Sequence, residues 1–178
     1  TGGANSTISF GATTYSSAAN PVNLSIASAD ASGSRILFPN LVAVNASFND
    51  NNATQNTVHS INVNSNATLS FASLTTVTGP TQRNDRLFVS VAPQGHLLLP
   101  VLDSLSGNSE WQIFAPTSLP AARSIHSAFI QLGQGGTLSA PNLVDMDNCN
   151  IMASSGSTFT SVATSYSSRA VRPEAGNS

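Results

Sequence analysis

The chain has 178 residues and a net charge of −2, with 40% apolar residues but only 8% charged, where about 25% charged is usual. That length suits one domain or one stack of repeats, and the scarcity of charge leaves the surface to Ser, Thr, Asn, Gln and Gly. Six basic residues scattered singly argue against nucleic-acid binding, and no apolar run reaches the roughly 18 residues of a membrane span.

One nine-residue pattern organises the chain. Its first, loose copy is Thr-Ile-Ser-Phe-Gly-Ala-Thr-Thr-Tyr (7–15), followed by a strand candidate at 22–27 and an Ala-Ser-Gly-Ser turn at 31–34. A full copy follows, Ile-Leu-Phe-Pro-Asn-Leu-Val-Ala-Val (36–44), with strand candidates at 46–48 and 58–63 and an Asn-Ser-Asn turn at 64–66. The next copy, Leu-Ser-Phe-Ala-Ser-Leu-Thr-Thr-Val (69–77), leads to a strand at 87–91 and a Pro-Gln-Gly turn at 93–95. Then come Leu-Leu-Leu-Pro-Val-Leu-Asp-Ser-Leu (97–105), strand candidates at 111–114 and 125–132, and a Gly-Gln-Gly-Gly turn at 133–136. Leu-Ser-Ala-Pro-Asn-Leu-Val-Asp-Met (138–146), a strand at 150–153, a Ser-Ser-Gly-Ser turn at 154–157 and a last loose copy, Thr-Phe-Thr-Ser-Val-Ala-Thr-Ser-Tyr (158–166), complete the series. Residues 169–178 read as a linker or tail after a repeat domain of 1–168. The opening on Thr1 and that tail suggest a processed chain or a segment of a longer one.

In the four full copies positions one, three, six and nine are apolar and position four is Pro or Ala. Pro39, Pro100 and Pro141 exclude a helix, because each would remove a helical hydrogen bond and clash with the turn before it. Positions one and three share one face of a strand. The step to six breaks the alternation, so the chain bends at position four and turns its next apolar residue inward again. A coil does this. The expected fold is therefore an all-β, single-domain parallel β-solenoid of about six coils, with an antiparallel β-sandwich as the alternative.

The first apolar positions, Ile8, Ile36, Leu69, Leu97, Leu138 and Phe159, lie 28, 33, 28, 41 and 21 residues apart. The shortest interval is about what three short strands and their turns require at about 3.3 Å per residue. Within the longest, Ile-Phe-Ala-Pro-Thr-Ser-Leu (113–119) looks like a degenerate extra copy, so either a seventh coil or a protruding loop sits there.

Phe38-Pro-Asn-Leu-Val-Ala-Val, with Phe48 and Asn51-Asn52 after it, resembles the repeat of receptor-L-domain-like cell-wall proteins of fungi. Gly-Gly-Thr-Leu-Ser-Ala-Pro-Asn-Leu (135–143) is similar to tandem repeats of large bacterial surface proteins, planctomycete ones especially. The resemblance covers about residues 30–166 and implies surface-exposed structural, adhesive or glycan-contacting roles. It hands over no catalytic residues.

Asp145 and Asp147, two apart on a strand, could both face solvent with Asp103 nearby, and paired carboxylates can bind cations, contact sugars or perform acid/base work. Trp111, beside Glu110 in the longest interval, could stack on a sugar ring, and burial explains it equally well. Arg83, Asp85 and Arg86 sit in a loop that nothing places against these carboxylates. His59, His96 and His126 are dispersed, and the lone Cys149 permits no disulfide within the chain and no multi-cysteine zinc site, so no metal or cofactor is expected. Asn5, Asn23, Asn45, Asn52 and Asn66 each begin an Asn-x-Ser/Thr sequence and would accept glycans in a secreted eukaryotic protein. A Thr column (Thr13-Thr14, Thr75-Thr76, Thr164-Ser165) is interrupted by Ala43, Ser104 and Asp145, too irregular for ice binding.

These readings point to a non-enzymatic extracellular structural or adhesive module that assembles end to end, or joins neighbouring solenoid domains, through unpaired edges. The alternative is a carbohydrate-binding module or polysaccharide-degrading β-helix contacting a surface polysaccharide.

Overall fold

The computed structural model describes residues 5–18, 22–51, 56–82 and 84–168. Every strand pairing among them is parallel, and strands recur on three sides of a single winding coil. That pairing excludes the antiparallel sandwich, and the protein is a parallel β-solenoid.

Coil 1 consists of β1 (Thr7–Ser9), β2 (Thr14–Ser16) and β3 (Leu24–Ala29). Coil 2 is β4 (Arg35–Leu37), β5 (Ala43–Asn45) and β6 (Val58–Val63), and coil 3 is β7 (Thr68–Ser70), β8 (Thr76–Thr78) and β9 (Arg86–Val91). Coil 4 is β10 (His96–Leu98), β11 (Ser104–Ser106) and β12 (Ser109–Ile113). Coil 5 is β13 (Pro116–Ser118), β14 (Ser124–Ile125) and β15 (Ala128–Leu132). Coil 6 is β16 (Thr137–Ala140) and the long β17 (Asp145–Ala153), which serves two sides in succession, and coil 7 is β18 (Thr158–Ser161) with β19 (Ser165–Ser168). The first strand of each coil builds side A, the second side B and the third side C; β17 joins B and C into one twelve-stranded sheet beside the seven-stranded side A.

The motif does what its pattern requires. Position one stacks Ile36, Leu69 and Leu97 in register, position six buries Leu41, Leu74, Leu102 and Leu143, and position nine buries Val44, Val77, Leu105 and Met146. Phe10, Phe38 and Phe71 fill position three with near-parallel rings 5.0 Å apart. Such offset aromatic pairs add about 0.5–1.5 kcal/mol to the burial of their area.

The 41-residue interval holds a coil and not a protruding loop. Its register lies four residues beyond the expected Ile113 start: Thr117-Ser-Leu-Pro-Ala-Ala-Arg-Ser-Ile125 places Thr117 at position one, Leu119 at three, Ala122 at six and Ile125 at nine. Thr117 is buried, and its hydroxyl donates to the Ala115 carbonyl, which removes the cost of a polar group at an apolar position. Among the described residues the count is therefore seven coils.

Five of the six corners between C and A turn on a residue with positive φ, Gly33, Asn66, Gln94, Gly135 and Gly156, and the one between β12 and β13 turns without one. The B-to-C corner has two designs. In coils 4–6 it is tight, turning on Gly107, Ser127 and Asn148, all with positive φ. In coils 1–3 longer intervals, 17–23, 46–57 and 79–85, separate the B and C strands. The strand expected at 46–48 belongs to these insertions: Ala46 and Phe48 are buried, but no strand forms.

Candidate functional site

Alternation on side B points two residues of each strand outward. From coil 4 to coil 7 they form the columns Ser104, Ser124, Asp145, Ser165 and Ser106, His126, Asp147, Ser167. Asp103 and Arg123 sit one residue before their strands on the same side. Charge gathers here: Arg123 Nε lies 3.6 Å from Asp103 Oδ1, and His126 Nε2 lies 2.9 Å from Asp145 Oδ2. Asp147 Oδ1 accepts hydrogen bonds from Ser167 Oγ at 3.0 Å and Ser165 Oγ at 3.5 Å. This is the candidate site, an open face of three carboxylates, a guanidinium, an imidazole and a row of hydroxyls.

The expected contact residues divide between three environments. Asp103, Asp145 and Asp147 share side B as expected. Glu110 is on the outside of side C, where Oε2 pairs with Arg86 Nε at 3.1 Å and Oε1 accepts from Gln112 Nε2. Trp111 requires a correction, because it is 3% exposed and offers no face to a sugar. Its position on β12 explains this: Ser109, Trp111 and Ile113 alternate inward in register with Val89 and Ile130 on the neighbouring coils. Arg123 and His126 were missed as partners. They come with coil 5, whose position-one threonine hid it from an apolar pattern.

Asn5, Asn23, Asn45 and Asn66 are all exposed; Asn52 and Arg83 lie outside the described residues. Two of the exposed amides are engaged: Asn23 Oδ1 accepts from the Val58 amide at 2.8 Å, and Asn45 Oδ1 from the Ser47 amide at 3.0 Å.

A second polar cluster sits under the inserted corners of coils 1–3. Asp85 is fully buried and accepts from the Asp50 and Thr57 amides, while Asp50 accepts from Thr57 Oγ1 at 2.8 Å and Gln82 Nε2 at 3.1 Å. Burial drives the Asp85 carboxyl above its usual range, and the charge of Asp50 adds to the rise. Beside it, the buried His59 ring stacks 3.7 Å from Phe48. The Val22 carbonyl can only accept, so His59 Nε2 donates to it at 3.1 Å, and Nδ1 lies 2.7 Å from Ser17 Oγ. The Asp85 bonds and the bond from Gln82 to Asp50 join the corners 46–57 and 79–85, and the His59 bonds tie the corner of coil 1 to β6. The cluster is a clasp for the loops.

Among the described residues no group of three or more His, Cys, Asp or Glu side chains is arranged to hold a metal ion. Among the same residues no helix is long and apolar enough to cross a membrane. Cys149 is buried, its Sγ donates to the Ile125 carbonyl at 3.1 Å, and burial pushes its thiol up. Comparison with protein-family models, curated proteins and solved structures returns no match. The class of the protein therefore rests on its own geometry, a seven-coil parallel β-solenoid with an open polar face.

Proposed function

We propose that the chain is a non-catalytic extracellular scaffold, a structural or adhesive β-solenoid that presents flat hydroxyl-rich faces to surface polysaccharide and to neighbouring solenoid units. The observation that carries this reading is the outward ladder of sides A and B. On A the outward columns run Thr68, His96, Pro116, Thr137, Thr158 and Ser70, Leu98, Ser118, Ser139, Thr160, so hydroxyls adjoin at the strand spacing of about 4.8 Å along coils 5–7; on B they adjoin through Thr76, Ser104, Ser124 and through Thr78, Ser106. Rows of uncharged donors and acceptors match the hydroxyls of an extended glycan without a large cost of stripping ions of water. Low charge and the resemblance to surface repeats support the extracellular placement.

A second reading, a polysaccharide-degrading β-helix, is favoured by Asp103, Arg123, His126, Asp145 and Asp147 sharing one face. Against it stands the openness of that face: the Asp103 and Arg123 side chains are 53% and 78% exposed. Carboxylates so well hydrated gain little of the electrostatic advantage that water exclusion gives an active site.

Cosedimentation with insoluble cellulose, chitin and β-glucan, combined with an assay for released soluble sugar, tests both. Retention on at least one polymer without release is the expected result. Release abolished by Asp145→Asn or Asp103→Asn establishes the enzyme reading, and no retention on any polymer overturns the adhesive one.

A further inference from the structure

We propose that the two ends of the solenoid are complementary and that the partner of each is a second copy of this chain, stacked head to tail. The inference rests on the scaffold reading above and names its partner. Among the described residues, coil 1 and coil 7 each pair on one side only, β1 and β2 with coil 2 and β18 and β19 with coil 6. None of the described residues pairs with their outer edges, which present rows of backbone donors and acceptors. Solenoid and sheet proteins ordinarily blunt such edges with charge. Here residues 5–29 and 154–168 contain no Asp, Glu, Lys, Arg or His.

The core is open at both ends as well. Phe10 is 45% exposed, so the Phe71–Phe38–Phe10 stack stops at a bare ring, and at the other end Val162 and Tyr166 are 56% and 57% exposed. Both ends therefore present apolar surface surrounded by unpaired strand edge, the composition of an interface before it closes.

The two end coils also match one another, and at position nine they match no interior coil. Position six is Ala12 and Ala163, and position nine is Tyr15 and Tyr166. Interior coils carry Leu or Ala at six and Val, Leu, Ile or Met at nine. Interior copies run nine residues from position one to position nine, as from Ile36 to Val44. The end copies run eight, Ile8 to Tyr15 and Phe159 to Tyr166. Equal path lengths let sides A and B pair together across the junction. Carrying the register of the stack one rung further sets Thr7 on Thr158, Ile8 on Phe159 and Ser9 on Thr160, with Thr14 on Ser165, Tyr15 on Tyr166 and Ser16 on Ser167. Stacked tyrosines in this register extend the same ladder logic as the internal phenylalanines. Unlike surfaces meet, so the contact is heterologous; a straight stack cannot close on itself and grows as a filament.

Two end-blocked variants test this by sedimentation over a concentration series. Tyr15→Asp blocks the first coil and Tyr166→Asp the last, and thermal melting confirms that each folds. Wild type is expected to grow with concentration and each variant alone to stay monomeric. Their equimolar mixture should stop at a dimer, because each variant keeps one good end. Phe10→Lys and Val162→Lys, at exposed positions, repeat the experiment if an aspartate variant fails to fold. A mixture that stays monomeric while wild type assembles overturns the head-to-tail register, as does either variant dimerising alone. Wild type that is monomeric throughout yet retained on polysaccharide overturns the filament and leaves the scaffold reading standing.

Discussion

Asp85 is the residue whose chemistry most exceeds what its sequence position suggests. It lies just before β9, in what reads as an exposed charged loop, yet it is fully buried in one inserted corner against the Asp50 and Thr57 amides of another. Burial raises its carboxyl above the ordinary 3.8. An acid with a raised folded pKa binds more protons folded than unfolded across that window. Its stabilising contribution is therefore full below 3.8 and is lost as the pH rises through the folded value. Denaturant unfolding of wild type and Asp85→Asn from acid to neutral pH checks this. Wild type should lose stability relative to the variant as the pH rises, whereas parallel profiles would contradict the buried, proton-retaining carboxyl. Trp111 teaches the complementary lesson. A lone Trp beside a Glu invites a binding role, but alternation along β12 sends Glu110 out and Trp111 in. Once the strand's phase is known, burial follows.

At the scale of the element, the corners decide what the strands can do. The tight B-to-C corner of coil 4 depends on Gly107, whose φ is +80°. A side chain there would meet the Gly79 carbonyl oxygen of the coil above, and the left-handed backbone alone costs a non-glycine residue about 1–3 kcal/mol. Gly107→Ala should lower stability by at least that amount in denaturant unfolding; a change within about 0.5 kcal/mol, as for an ordinary surface substitution, would contradict the corner geometry. These elements were unevenly legible in sequence. Strand β6 and the Gly and Asn turns between C and A could be read directly, because period-2 alternation and positive-φ residues leave plain marks. Coil 5 was half legible: its Pro120 and Leu119 fit the pattern, but Thr117 replaces an aliphatic residue, and the buried hydroxyl that makes this tolerable depends on the Ala115 carbonyl nearby. The inserted corner at 46–57 was read as carrying a strand at 46–48, and its meeting with the corner at 79–85 through Asp50 and Asp85 is a property of the stack.

For the whole molecule, the motif specified an inward face in full and an outward face only by subtraction. Columns such as Ser104, Ser124, Asp145 and Ser165 exist because register repeats, so the grouping of Arg123 with Asp103 and His126 with Asp145 follows from the coil count. With six coils those residues would not be neighbours. The open ends, the hydroxyl ladders and the charged face all depend on seven coils stacked in one parallel register. That register is measurable directly. Spin labels on a Cys149→Ala background at Ser9 paired with Ser118, Ser139 or Thr160, all outward on side A, span four, five and six rungs. Pulsed dipolar spectroscopy should return distances rising in equal steps, about 19, 24 and 29 Å between backbones at about 4.8 Å per rung. A Ser118 distance off that line, with Ser139 only four rungs from Ser9, would mean that the long interval is a loop and would contradict the seven-coil stack.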